Sequence, residues 1–238
     1  MVAAATLYRS SIGKKVVMAL SGIVLVGFVV FHMLGNLKIF LGPAALNTYA
    51  AFLRQVGEPL FPYELLLWIA RLVLLAAVGA HIVAAYQLTR QDQDGRPVHY
   101  ANKRVLQASF ASLTMRWGGV IILLFIIFHL LNFTFGVVGY SASRPYTAEL
   151  NGQYQAYNNV IYGFQAWPVA LFYILAMGAV GMHLYHGTWS MVQTLGLNSY
   201  RWNSMWRGLA IAVAAAVVVG NIAIPVAVLV GALRPVGV

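Results

Sequence analysis

Apolar residues recur along this chain in five runs near twenty residues long, at 16–37, 65–88, 118–138, 166–195 and 208–233. A helix rises about 1.5 Å per residue, so each run is long enough to cross the roughly 30 Å hydrocarbon core of a bilayer. Backbone groups in lipid must be satisfied within their own segment, which makes continuous runs of this length helices; barrel strands would be shorter and would alternate. The pattern predicts an all-α, polytopic membrane protein with five transmembrane helices in a single domain, 1–238. Pro168 suits the first turn of the fourth span, whereas Pro225 lies inside the fifth and is expected to kink it. The connectors 38–63 and 140–165 are long enough for short interfacial helices. The stretch 89–114, with Asp92, Asp94, Gly95 and Pro97 marking turns, reads as a polar connector and a docking surface.

Composition sharpens this reading. Residues are 61% hydrophobic and only 8% charged, which excludes an ordinary soluble domain. With no cysteine the chain can hold neither a disulfide nor a cysteine-ligated iron–sulfur cluster, so any such cluster belongs to a different polypeptide. The formal net charge of +10 does not point to nucleic acid, because the basic residues lie between apolar segments rather than in a stripe on a soluble face. It reads as topology. An N-terminus in the cytoplasm puts Arg9, Lys14, Lys15, Arg90, Arg96, Lys103, Arg104, Arg116, Arg201 and Arg207 inside, against Lys38, Arg54, Arg144 and Arg234 outside. The apolar run after Lys15 exceeds the core of a signal peptide and lacks a small-residue cleavage site, so the first span is expected to be retained. These features predict a multi-pass membrane protein with its N-terminus in the cytoplasm.

Candidate chemistry enters with the histidines. The run Phe28-Val29-Val30-Phe31-His32-Met33-Leu34 returns as Phe125-Ile126-Ile127-Phe128-His129-Leu130-Leu131, and Ala77-Val78-Gly79-Ala80-His81-Ile82 returns as Ala179-Val180-Gly181-Met182-His183-Leu184. An imidazole in hydrocarbon costs free energy unless something binds it, so four at repeated positions predict a shared ligand: two haems b, each held by two histidines. Interhelical hydrogen bonding is the alternative. Depth decides the pairing. His81 lies nine residues before Arg90 and His183 about a dozen before the end of its span, whereas His32 is eighteen after Lys14 and His129 thirteen after Arg116. His81 with His183 therefore makes an inner site and His32 with His129 an outer one, both metal sites, in a bundle of the first four spans. Glycines Gly79 and Gly181 are expected to leave room for a macrocycle or to allow close helix packing. His186 competes with His183 and is assigned a hydrogen-bonding role near the inner site. His99 reads as an exposed loop residue, and the histidine-free fifth span as an outer packing helix.

Further residues carry a family resemblance. Ser11-Ile12-Gly13-Lys14-Lys15, Ser21-Gly22 and Phe31-His32-Met33-Leu34-Gly35-Asn36-Leu37 resemble the first helix of the cytochrome b membrane anchor of succinate dehydrogenase and fumarate reductase, complex II. Leu67-Trp68-Ile69-Ala70-Arg71-Leu72, Arg116-Trp117-Gly118, His183-Leu184-Tyr185-His186-Gly187 and Gln193-Thr194-Leu195-Gly196 continue the likeness, which is least clear in the last span. It is nearest to the single-chain, five-helix, two-haem type. The resemblance implies a flavoprotein with covalent FAD and an iron–sulfur subunit as cytoplasmic partners, a quinone such as menaquinone as membrane substrate, and no succinate chemistry in this chain.

Two haems would bring propionates, for which Lys15, Ser21, Arg71 and Arg116 are candidates. Lys15 and Arg116 could equally be flanking charges, and Arg71 could pair with Glu64 or Glu58. An outer quinone site needs a protonatable group, and Glu58 and Glu64 are the candidates there, with Glu149 in the next outer loop; an inner quinone pocket is the other possibility. Two other readings stay open: the cytochrome b of a formate dehydrogenase or hydrogenase, and a haem-free transporter using histidines as a proton relay.

Overall fold

A computed structural model describes residues 8–95 and 110–237. Among them five helices are long and apolar enough to cross a membrane, giving the mostly helical, multi-pass architecture that the hydropathy pattern predicts. The first, α1 (Ser11–Asn36), starts five residues earlier than the apolar run because Ser10 caps it, its Oγ accepting from the Gly13 N–H at 3.0 Å. A 3₁₀ turn (Leu37–Leu41) follows and ends at Gly42, whose φ of 98° reverses the chain before Pro43 opens the short helix α2 (Pro43–Gln55). The second span, α3 (Leu65–Asp94), runs past the predicted end at 88 and stops at Gly95.

The third span, α4 (Phe110–His129), continues as a π turn (Leu130–Thr134) and stops short of the expected residue 138. The reason is tertiary: Gly136 takes φ +67° and a Cβ there would lie 2.2 Å from Cγ of Tyr146, so the chain turns under that ring. Beyond it, β1 (Glu149–Leu150) pairs antiparallel with β2 (Gln153–Tyr154) across Asn151-Gly152, both at positive φ, a two-residue hairpin absent from the all-α expectation. The outer layer is completed by α5 (Ala156–Gln165), a second short helix of the kind expected in the connectors. Pro168 lies in the first turn of α6 (Trp167–Thr194), and α7 (Asn203–Leu229) continues across Pro225.

Packing sets the helices in a definite order. The central pair is α1 and α6; α3 rests on α1, α4 rests on α6, and α7 lies along both α6 and α1. The apolar windows of α6 and α7 are 39% buried against 0% for α3 and 6% for α4, so α3 and α4 are the flanks. The fifth span is thus part of the core: its Ala214 and Val217 meet Met33 of α1 and Met177, Val180 and Leu184 of α6. A second core joins Ile39, Leu46, Ile161, Tyr173 and Ile224 beneath the outer layer.

Candidate functional site

All four motif histidines face one another in the two pairs that depth predicts. The His81 and His183 ring centres are 6.1 Å apart with planes at 59°, and the His32 and His129 centres are 5.8 Å apart with planes at 90°. Two imidazoles on opposite sides of one metal, each at a bond of about 2 Å, have their ring centres roughly 6 Å apart. Both planes then contain the shared axis, so any angle between them is allowed. The members of each pair come from helices that are not adjacent. Neither α3 with α6 nor α1 with α4 is among the pairs in extensive backbone contact. Among the described residues no group of three or more histidine, aspartate or glutamate side chains gathers to hold a metal, so the arrangement is one of pairs.

Hydrogen bonds fix which ring nitrogen is available. His81 Nδ1 lies 3.1 Å from the Met18 carbonyl and 3.2 Å from Ser21 Oγ. A carbonyl only accepts, and the Ser21 hydroxyl is directed to the Val17 and Met18 carbonyls at 2.8 and 3.1 Å, so the proton sits on His81 Nδ1 and leaves the Nε2 lone pair free. In the outer pair His129 Nδ1 lies 3.2 Å from the Tyr173 hydroxyl, which donates to Asn132 Oδ1 at 3.1 Å. That hydroxyl has one proton, so it accepts from His129 Nδ1–H. A ligating histidine is commonly held in this way through its other nitrogen. His183 Nδ1 is buried with no hydrogen-bond partner among the described residues, and His183 lines a slot of 10 Å³ with Thr114 and Gly118. Phe28 stacks on His32 at 5.1 Å, and Phe125 and Phe133 flank His129.

The contacts also give the separation of the two levels. Ser21 is level with His81, and eleven residues on along α1 is His32, about 16 Å outward. Tyr173 is level with His129, and ten residues on along α6 is His183, about 15 Å inward. Two independent helices agree. His183, rather than His186, stands opposite His81.

Gly79 and Gly181 do not open space beside the imidazoles. Two residues are about 200° of helix, which puts each glycine on the far side from its histidine. A Cβ at Gly181 would come 2.5 Å from Val218 Cγ2 of α7, so close helix packing is its use, whereas a Cβ at Gly79 would meet nothing within 4 Å.

The propionate candidates are dispersed. Ser21 Oγ is engaged with α1 carbonyls and His81. Lys15, with Met18, Ser190, Gln193 and Thr194, lines an open cavity of 370 Å³ between the inner ends of α1 and α6. Ser190 is seven residues beyond His183 and so on its face, a spacing that could have brought it out of the sequence. Arg116 pairs with Asp92 at 2.7 Å, tying the inner ends of α4 and α3. Arg71 lies over the Trp68 ring at 4.7 Å and pairs with neither Glu58 nor Glu64. Ten residues outward of His81, it is level with the outer pair.

Glu64 is held instead by Arg54 Nε at 2.9 Å, and the Arg54 guanidinium covers the Tyr154 ring at 4.0 Å. The Tyr63 hydroxyl meets that of Tyr154 at 2.6 Å, a bond that pushes the Tyr63 phenol up to about 12. No motif in the sequence singles out Arg54, Tyr63 or Tyr154 for this cluster. Glu58 has no ion-pair partner among the described residues, and Glu149 is an exposed strand residue. His99 and most of the predicted cytoplasmic connector lie outside the described residues. Comparison of the chain with protein-family models, curated proteins and solved structures gives no match.

Proposed function

We propose that this chain is a dihaem cytochrome b, the membrane anchor of a succinate:quinone oxidoreductase, passing electrons between a cytoplasmic iron–sulfur subunit and membrane quinone. The observation that carries the reading is the pair of facing histidine pairs, at two levels and at a spacing suited to one metal each. His81 with His183 would hold the inner haem b and His32 with His129 the outer one. Bis-histidine haem supplies reversible one-electron transfer with no open position for oxygen.

The protein's own residues do the rest. Met18 and Tyr173 hold protons on His81 Nδ1 and His129 Nδ1, which keeps each Nε2 a base and fixes each ring's orientation. Flanking apolar rings exclude water from the outer pair. Arg71 at the outer level and Lys15 at the inner end offer positive charge to carboxylates, and the Glu64–Arg54–Tyr63 cluster with Glu58 offers polar groups to a quinone headgroup on the outer side. The basic residues named above favour an N-terminus in the cytoplasm, where the iron–sulfur subunit and the flavoprotein with covalent FAD would dock; the quinone class, menaquinone, comes from the family resemblance alone.

The test is pyridine-haemochrome quantification on the purified chain, joined to co-purification. About two haems b per chain, with a flavoprotein of succinate–quinone activity attached, is the expected result. A colourless protein would overturn it in favour of a histidine relay. Two haems with a formate- or hydrogen-oxidising partner would keep the cytochrome and change the complex.

A further inference from the structure

Around the outer histidines lies a polar chain that the electron-carrying role does not by itself require. His129 Nδ1–H donates to the Tyr173 hydroxyl at 3.2 Å, Tyr173 donates to Asn132 Oδ1 at 3.1 Å, and Asn132 Nδ2 donates to the Val138 carbonyl at 2.7 Å. Asn132 is completely buried and Tyr173 is 6% exposed. Burying a carboxamide and a phenol in a membrane core is costly unless their bonds are made, and here each link is made.

Local structure is arranged to make them. Directly after His129 the helix widens into a π turn, Leu130–Thr134, with Asn132 at its centre. Such widenings recur at functional positions because they re-aim side chains that a regular helix would direct elsewhere. Gly139, at φ +86°, lets the following loop close on Asn132: a Cβ there would lie 2.7 Å from Asn132 Nδ2. Phe125, Phe133 and Phe164 enclose the Tyr173 ring at centre distances of 5.0 to 5.5 Å, so the phenol has no freedom to swing away.

The chain has one direction. Asn132 Nδ2 is committed to a carbonyl, which fixes Oδ1 as the acceptor for Tyr173 and in turn fixes Tyr173 as the acceptor for His129. A phenol that donates to an amide oxygen is a better acceptor, because successive hydrogen bonds polarise one another. An acceptor on Nδ1–H makes the opposite nitrogen more basic. The inner pair is held differently: His81 Nδ1–H is shared between the Met18 carbonyl at 3.1 Å and Ser21 Oγ at 3.2 Å, a hydroxyl that donates only to backbone carbonyls of its own helix, and His183 Nδ1 has no hydrogen-bond partner among the described residues.

We infer that Tyr173 and Asn132 are positioning residues that act through His129 to lower the reduction potential of the outer redox centre relative to the same centre without them. This rests on the dihaem reading. More electron donation from His129 favours the oxidised, more positive metal, so removing the acceptor raises the potential of the outer couple and leaves the inner couple, about 15 Å away along α6, where it was.

Spectroelectrochemical titration of the full chain in its complex tests this, with both couples resolved and haem counted in every variant. Tyr173→Phe is expected to raise the outer couple by about 59 mV, the equivalent of a tenfold change in a one-electron equilibrium. Asn132→Leu, which leaves no orphaned amide, is expected to raise it by less. The double variant is expected to match Tyr173→Phe alone, because Asn132 acts only through the phenol. An unmoved outer couple in Tyr173→Phe with both haems retained overturns the inference, as does an equal shift of both couples. Should Tyr173→Phe lose the outer haem, Asn132→Leu decides: an unshifted outer couple there overturns the inference, and a raised one upholds it. Absence of haem in the unmodified protein would instead sink the dihaem reading, a distinct result.

Discussion

Gly181 and Gly79 hold equivalent places in the internal repeat, yet the same substitution is expected to act in opposite directions at the two. At Gly181 the added methyl would lie 2.5 Å from Val218 Cγ2, whereas carbon atoms rest about 3.5–4.0 Å apart. Val218 is β-branched and stiff in a helix, so α6 and α7 must separate by roughly 1 Å. Overpacking of this kind costs about 1–3 kcal/mol, offset by about 1 kcal/mol from the better helix propensity of alanine. Gly181→Ala is therefore expected to destabilise by about 1 kcal/mol net. Gly79→Ala meets no atom within 4 Å and should keep the propensity gain of about 1 kcal/mol. Removing the obstructing methyl supplies the control: Val218→Ala in the Gly181→Ala background should recover stability, with a coupling of about 1 kcal/mol. The assay is reversible unfolding in mixed micelles followed by helical circular dichroism. Equal effects of the two glycine substitutions, or strict additivity of Gly181→Ala with Val218→Ala, would refute the α6–α7 contact on which the argument stands.

Three further outcomes follow from the site geometry, the first two resting on the dihaem proposal. His32→Ala or His129→Ala should remove only the outer haem and His81→Ala or His183→Ala only the inner one, read as the loss of one of two couples, while His186→Ala should retain both; bleaching of the inner centre by His186→Ala would reverse the assignment of His183. Ser21→Ala removes one weak neutral contact at 3.2 Å from His81 while the Met18 carbonyl remains, so retention of the inner haem should loosen by about two- to tenfold, in line with roughly 0.5–1.5 kcal/mol, and complete loss would contradict it. Tyr63, raised from 10 to about 12 by its bond to Tyr154, holds its proton more tightly folded than unfolded, so its stabilisation is present below pH 10 and lost as pH rises through about 12. Alkaline titration of tyrosinate absorbance should lose one late-titrating phenol in Tyr63→Phe; an unchanged curve would count against that bond.

The spans and the pairing of their histidines could be read from residues because a bilayer imposes one dominant pattern and one depth coordinate. Counting from Arg90, Lys14, Arg116 and the end of the fourth span levels the four side chains on antiparallel helices. What escaped depends on contacts between distant segments. The end of α4 is set by Tyr146 above Gly136, a neighbour the hydropathy of 135–138 does not reveal. Arg54 takes Glu64 from Arg71 only because the outer loops fold back over the mouth of α3. Tyr173 and Asn132, forty-one residues apart, share no motif, although an asparagine three residues past His129 in a lipid-depth run was a signal in itself. The hairpin had its Asn-Gly mark too, on strands of two residues that are too short to show alternation.

The fifth span bears no histidine, yet the packing makes it a determinant of the site. Each facing pair spans helices that do not touch extensively, so the 6.1 and 5.8 Å separations are set by what holds α3 to α1 and α4 to α6, and by what fixes α1 against α6. It is α7 that spans this central pair: Gly220 admits Met33 of α1, with the sulfur 2.6 Å from where a Cβ would stand, and Val218 seats against Gly181, two residues from His183. A displacement of about 1 Å at either contact would move one imidazole of a pair and leave the other in place. An imidazole and a metal at about 2 Å tolerate little of such a mismatch. Small residues at the α7 contacts, Gly181 on the far side of α6 from His183 and Gly220 on α7 itself, therefore help to set the separations within the histidine pairs without touching an imidazole.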